Sequence, residues 1–518
     1  MSIRLRGYQS KAVEAVFKEW EDVRSTLFVQ PTGCGKTTIF TEIIRRMYPL
    51  RTMIVAHREE LIFQAKQRVE DQTGLDCDVE MAEEIAKTHV IFRASVVAAT
   101  VQTLISGPSD RRRMERFDPK TFGLLVIDEG HHSTAASYRK VIEYFKQNPT
   151  LKVLGCTATP DRADEEALGQ VFESVADVYE ILDAIHDGWL TPVDQQMVNV
   201  EGLDFSAVRT TAGDLNGSDL AKVMESEKNI QGMCGSALDI IKGKRTIVFT
   251  SSVRHAEMAC EIFNRHRNGM ADWICGTTPK ERRREAMTQF RSGELQVICN
   301  VGCITEGVDV PGAEVVVMGR PTKSRALYAQ MAGRVLRPTA PVDSFDLAQD
   351  RRAAIESSRK PSALLIDFVG NSGRHRLITS ADILGGNVSD AAVELAIRKA
   401  RETGKPLRMN EALDDAELEV RRQERERKKQ EERRRTRLLP TVQYTTKFID
   451  PFNAWNITPA RERGWDAGKT LTTKQRALLM RQGINPDTMP YAQAKQVLNH
   501  MFYRWNNKLC TLRQANVL

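Results

Sequence analysis

Short apolar runs alternate with amphipathic stretches along the first part of the chain. Runs of β type stand at 26–30, 52–56, 95–99, 124–128 and 152–156, and the stretches between them carry apolar residues at helical spacing. That alternation predicts a parallel sheet with helices on its faces. Each run gives way at its C-terminal end to polar or glycine residues: QPTGCGKT, HREE, TVQT, EGHH and TATP. Ligands of an open α/β sheet gather at that edge, so these clusters are expected side by side. After His186-Asp187-Gly188-Trp189 a second series begins, with runs at 193–200, 245–250, 273–275, 296–300, 315–318 and 363–368. The fold class is therefore α/β, with two parallel-sheet domains in tandem over 1–187 and 188–386. Residues 338–361 lack the pattern and read as an insertion or surface loop.

Past Gly386 the rhythm turns helical, and from Glu417 to Arg437 almost every residue is charged (ELEVRRQERERKKQEERRRTR). Acids and bases at spacings of three and four can hold such a run as a solvated helix, so 387–437 is expected to be a charged helical spacer. A phosphate-tracking arm is the competing reading, blunted by the acids inside the run. Residues 438–518 form a small helical module. Ala477, Leu478 and Leu479, then Val497, Leu498, Met501, Phe502 and Trp505, recur at helical spacing, with Thr472 or Thr473 as a cap. The Met and aromatic stripe is read as its core.

With 518 residues and 41% hydrophobic content the chain can bury two or three cores. No run approaches the roughly 18 apolar residues of a membrane span, and MSIRLRGYQS lacks the apolar segment of a signal peptide. The expected compartment is the cytoplasm. Nine scattered cysteines, none in CxxC, agree with reduced thiols. A formal charge of +7 permits a polyanionic partner without demanding one.

The cluster at 30–37 follows Leu27, Phe28 and Val29 and precedes a helix-like run over 38–47. Strand, loop and helix is the order that a phosphate cradle requires. Gly33 and Gly35 let backbone N–H groups curl round an anion, Lys36 supplies a point charge, and Thr37 offers a hydroxyl to Mg²⁺. Pro31, Thr32, Cys34 and Thr38 complete the loop. Gln30 occupies the place of the usual leading glycine, so the loop alone leaves a chance arrangement open. Asp128 and Glu129 end a later run, with enough intervening chain to return beside the loop. In P-loop enzymes an Asp there holds Mg²⁺, and a neighbouring Glu can orient and deprotonate water. Arg334 and Arg337, three apart on an expected helix, would share a face from which two guanidinium groups reach a γ-phosphate.

In order from Tyr8 to Arg337, these motifs resemble the superfamily 2 helicases of the DEAD/DEAH type, with DEGH in place of DEAH. LRGYQ, with Arg6, Tyr8 and Gln9, resembles the adenine-recognising segment. VAHREEL, with His57 and Arg58, resembles motif Ia, and the run ending Thr100-Val101-Gln102-Thr103 resembles Ib. Thr157-Ala158-Thr159 resembles motif III, Thr250-Ser251 motif IV, ITEGVDVP with Thr305, Glu306, Gly307 and Asp309 motif V, and QMAGRVLRP with Gln330, Gly333, Arg334 and Arg337 motif VI. The resemblance implies two RecA-like domains, ATP and Mg²⁺ as cofactors, and an arginine finger that completes the site when the domains close. It implies that Gly307 and Asp309 assist nucleotide binding. Arg58, Thr100, Thr103, Thr250, Thr278 and Thr305 would hold the phosphates of one nucleic-acid strand, although any single threonine can equally be a helix cap. His131, or its neighbour His132, would couple the nucleotide site to Thr157 and Thr159.

TATPDRADEEALGQVF followed by HDGWLTP is closer to the DNA-acting translocase branch of excision-repair and restriction motors than to RNA-acting DEAD-box proteins. The expected function is thus an ATP-dependent helicase or translocase on DNA, whether duplex, forked or single-stranded. An RNA helicase is the alternative within the class. From another class, an ATP-gated clamp would recruit a protein partner through the C-terminal module. LLIDFVGNSGRH and the TTKQ-containing tail resemble segments of phage and bacterial helicases, and no membrane association is expected.

Overall fold

Seven strands make the first sheet: β1 (Ser25–Val29), β2 (Arg51–Ala56), β3 (Cys77–Glu80), β4 (Val96–Thr100), β5 (Phe122–Asp128), β6 (Lys152–Thr157) and β7 (Ser174–Val178). All pairings are parallel, in the order β3-β4-β2-β5-β6-β1-β7. The computed structural model describes residues 4–88, 93–108, 111–158, 168–211, 213–304, 310–372, 375, 377–386, 388–437, 450–460 and 468–510. The sheet is apolar on both faces because its strands are continuous apolar runs, as burial on both sides requires. Phe28, Leu124 and Val126 point to one face, against the helices Gly7–Asp22, Lys36–Met47 and Glu59–Thr73. Leu27, Leu125 and Ile127 point to the other, against Val101–Ile105 and Ala136–Phe145.

The second sheet repeats the plan. β8 (Val193–Asp204) is followed by a two-stranded ribbon of β9 (Thr210–Thr211) and β10 (Asp214–Leu215). β11 (Thr246–Thr250), β12 (Ala271–Ile274), β13 (Val297–Asn300), β14 (Val315–Gly319), β15 (Ala363–Asn371) and β16 (Leu407–Arg408) complete the sheet, in the order β12-β13-β11-β14-β15-β8-β16. Among the described residues of that sheet β16 alone runs antiparallel to its neighbour, as β9 and β10 do in the ribbon. Two tandem RecA-like α/β domains are thus present.

Three sequence expectations need correction. Edge strands β3 and β7 and the short β9, β10 and β16 carry little apolar periodicity, so the sequence pattern passed over them. Residues 338–361 are more than a surface loop: they hold a turn at Val342–Ser344 and a helix at Ala348–Glu356, with Val342, Arg351, Ile355 and Lys360 buried. Residues 387–437 are not one spacer. Ala392, Val393, Ala396 and Ala400 of the helix Asp390–Thr403, and Met409, Leu413 and Ala416 of the helix Met409–Arg437, join the second domain's core. Their small apolar side chains, scattered among charges, give one face just wide enough to pack.

The chain divides into two compact units, Met1–Glu424 and Arg425–Leu518. The second has its own small core of Leu479, Ile484, Ala494, Val497, Leu498 and Met501, built from the helices Thr473–Arg481 and Tyr491–Asn506. Thr472 caps the first of these. Phe502 and Trp505, expected in that core, are exposed instead at 47% and 37%.

Candidate nucleotide site between the two sheets

β6 lies between β1 and β5, and the register puts Phe28, Cys156 and Asp128 in one row across the three strands. The loop after β1 therefore starts one strand away from the carboxylates and must arch back over β6. Gly35 takes a left-handed conformation (φ 81°, ψ 43°) immediately before the helix Lys36–Met47, which leaves the first N–H groups of that helix at the arch. Lys36 Nζ then donates to Glu129 Oε1 at 2.9 Å. Glu129 is itself left-handed at φ 51°, a conformation that a non-glycine residue adopts at a cost of roughly 1–2 kcal/mol. Its backbone N–H donates to Asp128 Oδ1 at 2.9 Å, and Cys156 Sγ lies 3.2 Å from the same oxygen.

Two carboxylates and one ammonium share a nearly dry place. Burial raises the Asp128 pKa, and the adjacent Glu129 charge raises it further. Burial alone would lower that of Lys36, but the Glu129 and Asp128 carboxylates hold it above its ordinary value. One acid more than the local cation can balance is an arrangement that suits an added metal ion. Mg²⁺ keeps several waters and needs only one or two protein oxygens, so a donor set of the Thr37 hydroxyl and Asp128 fits it. Among the described residues no three His, Cys, Asp or Glu side chains converge as a closed metal cage.

The His131 and His132 rings pack on each other with centroids 4.2 Å apart, and each also has a partner of its own. His131 Nδ1 shares a 3.2 Å hydrogen bond with Thr157 Oγ1 and lies 3.5 Å from Glu129 Oε2. The His132 ring packs on His57, with centroids 4.3 Å apart. Thus the DEGH segment touches Thr157 through one ring and the segment after β2 through the other.

At the far end of the loop, Tyr8 Oη and Gln9 Nε2 both donate to the Cys34 carbonyl, at 2.8 and 3.0 Å. Gln9 Oε1 accepts the Arg6 backbone N–H, which fixes the amide's orientation. Burial pushes the Cys34 thiol up to about 12, so it stays neutral. Arg6 lies over the Trp189 ring at 4.4 Å and forms a two-pronged pair with Asp343 at 2.8 and 2.9 Å. Tyr8 stacks on Tyr179 with centroids 4.5 Å apart.

The second domain closes on the same loop. A Cβ on Gly33 would lie 3.1 Å from Arg337 Cγ, and one on Gly333 would lie 2.7 Å from Thr32 Cβ. Gln330 is buried on the helix Arg325–Gly333, and its carbonyl accepts Arg334 Nε at 3.3 Å. The argument from a shared helix face is corrected here: the helix ends at Gly333, Arg334 is its C-cap, and Arg337 lies beyond it. Lys360 ties down the main chain at Arg337. This lysine is 1% exposed and donates to the carbonyls of Arg337 at 2.8 Å and Pro311 at 3.1 Å. Sequence reasoning missed Lys360, Trp189 and Asp343. HDGWLTP offered a hint in its tryptophan, whereas Lys360 and Asp343 stand in stretches without periodicity.

Along the strand-end edge, Arg58 Nη1 donates to the Gly302 carbonyl of the second domain at 3.1 Å. Thr100 is an N-cap whose hydroxyl bonds that of Thr103 at 2.8 Å. Thr250 Oγ1 donates to the Asn300 carbonyl, and Thr278 Oγ1 accepts the Cys275 N–H. Thr100, Thr250 and Thr278 are buried, with hydroxyls engaged by their own chain. Thr159, Thr305, Gly307 and Asp309 lie outside the described residues.

Residues 2–162 match the family model described as the res subunit of type III restriction enzymes, and residues 230–339 match that of the helicase conserved C-terminal domain. This chain belongs to superfamily 2 of the helicases. It is similar to the putative ATP-dependent helicase IRC3 of Saccharomyces cerevisiae, 31% identical over 360 residues that cover 64% of this chain and 49% of the yeast protein. To the DNA 3'-5' translocase XPB2 of Sulfurisphaera tokodaii it is 26% identical over 373 residues, 65% of this chain and 79% of the archaeal one. The chain spans about half the length of the yeast relatives it matches. Among solved structures, a fragment of a putative HsdR subunit of a type I restriction enzyme from Vibrio vulnificus shares the fold. Its TM-score is 0.52 at 20% identity, over 71% of this chain and 64% of that one.

Proposed function

We propose that the chain is an ATP-driven motor that moves along or unwinds DNA. The observation that carries this reading is the meeting of both domains at one loop: Lys36 is bonded to Glu129 on one side, and Arg337 is packed on Gly33 on the other. Backbone N–H groups at the start of the helix Lys36–Met47 bind the phosphates, and Lys36 leaves Glu129 to join them. Released, the Glu129 carboxylate orients the attacking water and takes its proton. Thr37 and Asp128 would hold Mg²⁺, which when bound neutralises charge on the phosphate oxygens. Arg334 and Arg337 bring positive charge from the second domain, so hydrolysis depends on closure. His131 passes the state of the Glu129 region to Thr157. DNA is favoured over RNA because a similar protein bears the name of a DNA translocase.

The test is ATP turnover with duplex, forked and single-stranded DNA beside matched RNA. DNA should stimulate turnover most. Lys36→Ala and Glu129→Gln should abolish it, and Arg337→Ala should lower it by ~10³-fold or more, as loss of an arginine finger does. Equal turnover without nucleic acid refutes a motor. Stronger stimulation by RNA reassigns the substrate, and ATP-dependent retention without strand displacement or translocation favours a clamp.

A further inference from the structure

Residues 438–518 hold 11 Lys and Arg against 4 Asp and Glu, while residues 1–437 hold 64 of each. The whole formal charge of +7 therefore resides in the C-terminal segment, and the motor is neutral in sum. Within it, the helix Tyr491–Asn506 buries Ala494, Val497, Leu498 and Met501 and turns an opposite face to solvent. At 100° per residue, Ala492, Lys495, Asn499, Tyr503 and Asn506 fall on that face, with Phe502 and half-buried Tyr491 toward its edge. Phe502 is 47% and Tyr503 60% exposed, and Lys495, Asn499 and Asn506 are exposed between and beside them. Phe502 meets Trp505 edge-on at 5.5 Å, and Tyr503 stacks on His500 at 6.3 Å, so each ring has an aromatic neighbour. Lys508 stands exposed just past the helix.

A group of rings with one lysine among them and another just past the helix has a specific complement. Exposed aromatic rings suit a protein partner as well as a base, and the excess of positive charge on this segment decides for a polyanion. Bases stack on rings, phosphates pair with ammonium groups, and asparagines can meet base edges. In duplex DNA the base faces are stacked on each other, so only an unpaired strand can use the rings. We propose that this face of the C-terminal module is a second nucleic-acid site, which binds single-stranded polynucleotide by stacking on Phe502 and Tyr503 and pairing its phosphates with Lys495 and Lys508. The site is built from residues of the second compact unit alone and acts without ATP.

Fluorescence anisotropy of the full chain without nucleotide, with oligo-dT, oligo-U and a duplex of equal length, tests it. Phe502→Leu and Tyr503→Leu should each weaken single-strand binding by roughly 5-fold or more, and Tyr503→Phe should leave it intact, because only the ring stacks. Lys495→Gln with Lys508→Gln should lower the slope of log affinity against log salt by about 1.4. Thermal melts confirm that each variant is folded, and basal ATPase should be unchanged in all of them. Unaltered binding in the leucine variants overturns the proposal, as does loss of binding in the lysine variant alone or a preference for duplex. Stimulation of ATPase by DNA, read on the same proteins, reports separately on the motor.

Discussion

Asp128, Glu129 and Lys36 were legible in the sequence because each chemistry-bearing cluster is local and ends an apolar run. Side chains whose partners are distant along the chain were not. Asp367 is one of these. It is buried on β15, where Oδ2 accepts Gln195 Nε2 and Tyr328 Oη at 2.5 and 2.8 Å, and burial pushes its carboxyl up to about 6. The unfolded carboxyl ionises near 3.9, so between these values the native state holds the proton and stability falls as pH rises. By pH 7 the native state has lost about 3 kcal/mol to this group. Asp367→Asn keeps an acceptor for both donors and removes the slope. Relative to the parent it should gain up to about 3 kcal/mol between pH 4 and pH 7 in urea unfolding. A difference that stays constant across that range would sink the assignment.

The elements were read from periodicity, and their outcome follows their burial. Central strands β1, β2, β5 and β6 were found within a residue or two because they are continuous apolar runs buried on both faces. CDVE of β3 and SVADV of β7 lie at sheet edges, where one side needs no apolar partner, and their pattern fades accordingly. The turn after the helix Arg325–Gly333 was misread as more helix because nothing in GRVLRP announces that Lys360 will hold it. Lys360→Met keeps the shape of that side chain and removes its donors to Arg337 and Pro311. Misplacing a group by about 1 Å can reduce turnover 100-fold, so kcat for DNA-stimulated hydrolysis should fall roughly 10- to 100-fold with KM for ATP little changed. A loss confined to KM would mean that Lys360 serves binding and not the placing of Arg337.

At the scale of the molecule, the two domains meet through contacts that are individually weak. Arg6 pairs with Asp343 beside Trp189, and at the strand-end edge Lys280 pairs with Glu59 and Arg283 with Glu60. Partly exposed pairs of this kind contribute little and are screened by salt, which suits the parting and rejoining of domains in the proposed cycle. Glu59→Lys with Glu60→Lys should open the molecule. Inter-domain energy transfer between dyes should fall in the variant at low salt, and high salt should bring the parent to the same value. Equal transfer in the two proteins at low salt would show that the apolar contacts alone hold the interface.

The seam at the nucleotide loop has a consequence for ancestry. Gly33, which its own φ of 96° already favours, also yields to Arg337 from the other domain, and Gly333, with no such backbone demand, yields to Thr32. Each half has its own sheet and helices, and a gene joining the first half of one relative to the second half of another would still encode two folded domains. It would encode a working joint only if the second donor kept the space at Gly333, so inheritance at that position is tied to Thr32 across a boundary that its own fold would ignore.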